Sequence, residues 1–401
     1  MLELDAGLEF QPENDEDFFS LLPERPAVCL IEPQAENAEP HLIRTANLRR
    51  RLQRLLGPRD PTSKRLNLRE FARQVRYRIT LSAFEQSLTY YRVARQFFPK
   101  KYRDLMRLRP SPVLKINLKN AYPRCYVTRH IPVNEQGMPS GGIYYGPFPS
   151  RRAAQSYADS VLDFFKVRRC QIKIRRDPAF PGCIYSEMKM CLAPCFAGCT
   201  KEEYDAEVNR LAGFLETGGH SLRAAYEQER ERASDELDFE RAAAIHKKVE
   251  KLDGALRAGP EIARRLQDLD AVILQRMTEE QTVGVFGVHS GKLAEPFALR
   301  FGDTSQPRSA EETVRDYLEA MMTTPPTGIN PRQSAAELGE HLRLLARWFY
   351  SNPREGEIFF REKDWPYRRI LRACARLLTV QKEEAGEGNK PGDNGAGKEN
   401  Q

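Results

Sequence analysis

Five of the eight cysteines fall between residues 170 and 199, a concentration that composition alone does not produce. Cys170, Cys183, Cys191 and Cys195 are separated by twelve, seven and three residues, and Cys199 follows. This is not the tight C-x-x-C pairing of a zinc ribbon. Four thiolates can hold zinc tetrahedrally, or an iron–sulfur cluster, where wider spacings are common. The alternative is four buried cysteines packing as small hydrophobes. Cys199 is either a bystander or a replacement for one ligand.

The second feature with chemical content is charge. Residues 1–39 hold eleven acids and one base, whereas residues 40–130 hold twenty-three Lys/Arg and four Asp/Glu. A local excess carried mainly by arginine suits bidentate phosphate contacts and predicts a polyanionic partner, nucleic acid. The alternative is a solvated basic face. Arg49, Arg50, Arg51 and Arg54 crowd one side of a short segment whose other side is Leu48, Leu52, Leu55 and Leu56. They are the candidate DNA-binding residues.

The elements that must position these residues follow from periodicity. Residues 1–24 are acidic and weakly patterned, a loose leader. Strands are expected at 25–32, 41–45, 113–118 and 124–131. Helices are expected at 46–57, capped by Asn47, at 83–106 with a break at Pro99, and at 151–170. Residues 66–82 read as a helix running into a strand, and 141–150 as a turn-rich aromatic loop. Thr200 and Glu203 form a capping box opening a helix that stops at Gly218-Gly219. Two further helices, near 221–235 and 238–259, read as a hairpin. A β-meander over 269–301, helices at 309–322, 334–350 and 366–380, and a polar, disordered tail complete the chain. No run of eighteen apolar residues and no signal peptide are present in the sequence, so a cytoplasmic setting with reduced thiols is expected.

Six pieces in order, ANLRRRL (46–52), YPRCYVTR (122–129), YYGPFPS (144–150), LDFFKVRRC (162–170), CIYSEMKMCLAPC (183–195) and DFERAAAIHKKV (238–249), resemble the N-terminal half of the UvrC family. The shorter nuclease Cho shares the first part. The resemblance implies an α+β chain. It divides into the leader 1–24, a small GIY-YIG-like α/β domain over 25–135, and a loop, helix and cysteine-rich joint over 136–200. A helical UVR hairpin over 201–259, a small α/β C-terminal domain over 260–380 and a tail over 381–401 follow.

The resemblance also assigns roles. GIY-YIG nucleases use two tyrosines, an arginine and a metal-binding glutamate. Here the tyrosine positions fall on Cys29, within Ala27-Val28-Cys29, and on His41. The glutamate position falls on Tyr90, and only the arginine is retained, as Arg51. Glu85 would reach that position only after a change of register. GGIYYG (141–146) contains the letters of the motif but aligns with a later loop. A degenerate domain that binds without cutting, and without a catalytic divalent metal, is therefore expected.

The four cysteines match the family's [4Fe-4S] ligands, with zinc as the alternative. Phe239, Glu240, Arg241, Ala242 and Ala243 match the surface that pairs with a UvrB-like partner. The implied function is excision repair through DNA and partner binding. A divergent Cho-like endonuclease and a UVR-containing stress adaptor are the alternatives, and no membrane partner is implied.

Overall fold

In the computed structural model of the chain, residues 4–58, 62, 64–257, 259–277, 279–301, 309–323 and 331–387 are described. The architecture is mixed α/β, built on three antiparallel sheets. Of the expected tail, 381–387 continue the closing helix and 388–401 lie outside the described residues.

The N-terminal sheet has the order β1-β4-β2-β3, from β1 (Ala6–Glu9), β2 (Ala27–Pro33), β3 (His41–Thr45) and β4 (Ala72–Ile79). Along β2 the side chains alternate between two cores. Ala27, Cys29 and Ile31 pack with α1 (Asp15–Leu21) and α2 (Leu48–Leu56). Val28 and Leu30 pack with Val93 and Phe98 around α3 (Ala83–Phe97). A short α4 (Tyr102–Leu105) follows Pro99, as expected from the break.

Two expectations fail here. The leader is not loose: β1 pairs with β4, and Phe10, Phe18 and Leu22 are buried in the α1/α2 core. Its apolar residues are too few for a sequence pattern but are enough to cover one sheet face. Residues 66–71 are not helical. The Asn67 side chain accepts from the Arg69 N–H and donates to the Gly57 carbonyl, so a side-chain turn replaces the helix start.

The second sheet has the order β6-β5-β7-β8: β5 (Val113–Ile116), β6 (Cys125–Thr128), β7 (Ile143–Gly146) and β8 (Arg264–Arg265). A boundary at residue 135 would cut this sheet, because β5 and β6 hydrogen-bond to one another and β5 to β7, not to the N-terminal strands. The aromatic loop expected at 141–150 is largely strand β7, and Phe148 packs against Tyr157 of α5 (Arg151–Leu162). After α5 come the short α6 (Ile184–Glu187), then α7 (Lys201–Glu216), α8 (His220–Asp235) and α9 (Phe239–Arg257). The Thr200/Glu203 capping box forms as read. Gly219 has φ +87 between α7 and α8, and any Cβ there would meet Leu256 of α9 at 2.2 Å.

The third sheet runs β11-β10-β9-β13, with β12 also on β10: β9 (Ala271–Arg276), β10 (Thr282–His289), β11 (Lys292–Leu293), β12 (Phe297–Arg300) and β13 (Glu357–Phe360). The meander is as expected, whereas β13 is reached only after α10 (Ala310–Thr323) and α11 (Pro331–Phe349). The closing helix is α12 (Tyr367–Glu387). A core containing Phe84, Leu88 and Tyr91 of α3, Phe286 of β10 and Leu338, Leu342 and Leu345 of α11 joins the first sheet's layer to the third. α3 is therefore shared between two cores.

Candidate nucleic-acid interface and cysteine module

Asn47 caps α2 by accepting from the Arg50 N–H at 2.9 Å, which directs Arg50, Arg51 and Arg54 outward. None of these three makes an ion pair within the described residues. Arg49 differs from the expectation. Its guanidinium is held by the carbonyls of Leu22 and Ser20 and by Glu24, at 2.7, 3.1 and 2.7 Å, so it ties α2 to the segment after α1.

Of the catalytic positions, Arg51 and Tyr90 line one cleft, whereas Cys29 turns away from it. Cys29 faces the α1/α2 core with no exposed surface, and burial drives its thiol far above the usual range. His41 lies on edge strand β3, its proton affinity lowered by burial and then by Arg51. Glu85 is engaged at the start of α3 and does not line the cleft at Tyr90. Its carboxylate accepts from the Leu81 N–H at 2.7 Å, just before α3, and burial raises its pKa.

What surrounds Tyr90 is cationic. A cleft of about 360 Å³ is lined by Arg44, Arg51, Arg107 and Arg347, with Tyr90 at its wall and no carboxylate in the lining. The Arg44 guanidinium lies 5.8 Å from the centroid of the Tyr90 ring. Arg347, from α11, donates to the carbonyls of Met106 and Arg107 at 3.0 and 2.6 Å. Burial and then the like charges of Arg343 and Arg44 lower its proton affinity. An adjoining cleft of about 460 Å³ shares Arg44, Arg107 and Arg347 and reaches Glu355 at its far side. Arg44, Arg107 and Arg347 were not legible as site residues, since nothing local in the sequence joins them.

The cysteine module is a loop of irregular backbone. Lys189, Ala193 and Ala197 all have left-handed φ, between 56° and 59°, a strained arrangement for side-chain-bearing residues that concentrates at ligand clamps. All the cysteines are free. Burial pushes the Cys191 thiol up to about 11, the Ala193 N–H opposes this, and Cys170, Cys195 and Cys183 add to it. Cys170, Cys183 and Cys195 therefore lie within electrostatic range of Cys191. As the side chains stand, no group of three or more His, Cys, Asp or Glu among the described residues is arranged to hold a metal ion.

Donors already point at the sulfurs: Ala193 N–H to Cys191 at 3.3 Å, Ser186 Oγ to Cys183 at 3.9 Å and Arg168 Nη1 to Cys170 at 3.8 Å. Arg168 is only 2% exposed and has no carboxylate partner among the described residues; its other bonds go to the carbonyls of Tyr122, Cys170 and Ile172. A buried cation beside a sulfur suits an anionic thiolate centre. Cys199 is buried in the second sheet's core, within electrostatic range of Cys195.

In the hairpin, Ile245, Val249 and Leu252 are buried, whereas Phe239, Glu240, Arg241 and Ala243 are exposed and Ala242 is half-buried. The apolar residues of α9 are thus divided between buried and exposed positions. Leu237 and Phe239, 70% and 67% exposed, form an unpaired apolar tip. Arg241 pairs with Glu229 of α8 at 3.3 Å. His246 is exposed and lies 3.6 Å from Glu250.

Residues 111–214, which hold the second sheet's first three strands, the cysteine module and nearly all of α7, match the family model described as the UvrC/Cho excinuclease middle domain. That stretch is similar to the middle domain of UvrC and Cho. The relatives are UvrABC system proteins C. The protein of Carboxydothermus hydrogenoformans is 29% identical over 68% of this chain and 43% of its own. That of Caldanaerobacter subterraneus is 24% identical over 77% and 49%. That of Thermoanaerobacter sp. strain X514 is 23% identical over 92% and 60%. The chain spans about half the length of the curated relatives it matches. No solved structure matches it. No helix of the described residues is long and apolar enough to cross a membrane.

Proposed function

We propose that this chain is a UvrC-like excision-repair protein that binds DNA and a UvrB-like partner without incising DNA. The observation that carries this reading is the cationic cleft at Tyr90, where a nuclease of this kind needs a carboxylate to anchor its metal. Without a metal ligand or general base, phosphodiester hydrolysis loses several orders of magnitude in rate. The exposed Leu237–Phe239 tip of the α8/α9 hairpin supports partner docking. Cys170, Cys183, Cys191 and Cys195 would hold a [4Fe-4S] cluster, for which zinc is the alternative. When bound, the cluster would supply a structural cross-link, and Arg168 would offset its charge.

The test is incubation of the purified chain with lesion-bearing duplex and Mg²⁺ or Mn²⁺, alongside binding at several salt concentrations. Salt-sensitive binding without cleavage is the expected result. Cleavage abolished by Arg51→Ala would instead support a divergent Cho-like nuclease. Absence of binding at low salt would leave the stress-adaptor reading.

A further inference from the structure

We infer that the cleft beside Tyr90 is a phosphodiester clamp in which protein-borne cations occupy the role of a divalent metal, and that the clamp is completed by α11. The inference rests on the DNA-binding reading above and specifies its site.

Three observations converge. First, the side chain at the carboxylate position, Tyr90, carries a guanidinium over its ring rather than an anion beside it. A cation already sits where a metal would need a negative ligand, so a divalent ion would meet repulsion there. Second, Arg44, Arg51 and Arg107 are exposed and make no ion pair among the described residues, although they line a single cleft. Like charges left together without counter-charges destabilise one another, and Arg347 in the same lining has its proton affinity lowered by burial and then by the like charges of Arg343 and Arg44. An anion relieves this repulsion.

Third, Arg107 adopts φ +49, a left-handed conformation that disfavours a side chain of this kind, and Arg347 fixes that turn through the Met106 and Arg107 carbonyls. Strain of this sort persists where surrounding structure imposes it. Here the structure imposing it is a helix some 240 residues further along the chain. The ligand class is the backbone of a nucleic-acid strand, because several guanidinium groups along an open cleft suit successive phosphates.

The experiment measures the affinity of the full chain for a fluorescent DNA duplex against salt, for the wild type, Arg44→Gln/Arg107→Gln and Arg232→Gln on the hairpin. Both cleft residues are exposed, so the fold is retained. The double variant should flatten the log–log salt slope by about 0.9 for each phosphate that is no longer neutralised, with Arg232→Gln unchanged. Replacing Mg²⁺ by chelator at matched ionic strength should leave wild-type affinity within about a factor of two. A slope equal to wild type in the double variant, or affinity that collapses without Mg²⁺, overturns the clamp while the DNA-binding reading stands. Inorganic phosphate competing beyond its ionic strength also overturns it, in favour of a free-anion site. No wild-type binding at low salt removes the DNA-binding reading itself.

Discussion

The hydroxyl of Tyr91 in α3 donates to the carboxylate of Glu340 in α11 at 2.7 Å, across 249 residues of sequence. Glu340 is 2% exposed and also accepts from Tyr102 at 2.8 Å and Arg103 at 2.7 Å. Arg95 of α3 adds a bond of 2.5 Å to Glu337 one turn earlier. The degenerate nuclease layer and the C-terminal layer are joined by this buried polar latch as well as by apolar packing.

Removing the latch should loosen both layers together. Glu340→Ala leaves two buried phenols and a guanidinium without their acceptor and should cost about 3 kcal/mol, with Glu340→Gln costing roughly 1–2 kcal/mol. Denaturant unfolding of the two variants measures this. A loss below about 0.5 kcal/mol for Glu340→Ala would mean that the apolar contacts alone hold the layers.

Acid should weaken the same junction. His341 is buried, its Nδ1 accepts from the Leu293 N–H at 3.0 Å, and burial is the main cause of its pKa of about 4. Arg92, Arg95 and Lys292 add to that lowering and Glu337 opposes it. Because the folded pKa is below the unfolded one, the unfolded chain binds more protons between the two values. The stabilisation is full above about pH 6.5 and is lost as pH falls toward 4, a change of about 3 kcal/mol. The depressed carboxylate of Glu337 acts in the same direction. His341→Gln, which can still accept from Leu293, should show a shallower loss between pH 7 and 4.5 in unfolding midpoints. Parallel profiles would rule out His341 as the cause.

Much of this was legible locally. Asn47, Ser82 and Thr200 each begin a helix with the side-chain cap expected of their type. The α2 leucines and the meander of β9, β10 and β12 follow their periodicities. Short strands were lost where pairing supplies the stability: β1 depends on β4, and β13 on β9. Of the cleft, Arg51 was readable from the resemblance. The rest of the cleft was not, because Arg44, Arg107 and Arg347 come from a strand, a turn and a distant helix. The carbonyl partners of Arg49 were not legible, because charge shows in sequence and a carbonyl partner does not.

The cysteine module predicts a measurable cofactor. Anaerobically purified chain should be brown and contain iron, and Cys191→Ser should lose both properties. Arg168→Gln should retain less iron than wild type after gel filtration, and Arg168→Lys more than the glutamine variant, since it keeps the charge beside Cys170. A colourless protein that carries zinc would overturn the iron–sulfur assignment, and equal iron in the two Arg168 variants would remove the role of charge.

At the hairpin, Leu237→Ser/Phe239→Ser should weaken binding to a UvrB-like partner by about tenfold or more, about 1.4 kcal/mol, while thermal stability stays close to wild type because both side chains are exposed. Titration calorimetry and a melting curve separate the two effects. Unchanged affinity would show that the partner docks elsewhere.

The return of the chain after α9 has a mechanical consequence. Strand β8 pairs with β7, Arg265 opposite Tyr145, and Arg265 also reaches Glu216 at the end of α7. Midway along α9, Lys251 reaches Asp163, which also binds Arg169 next to Cys170. Both feet of the hairpin are therefore bolted to one sheet. A pull at Phe239 would therefore reach the layer that carries the cysteines through these contacts, as on a lever rather than a tether.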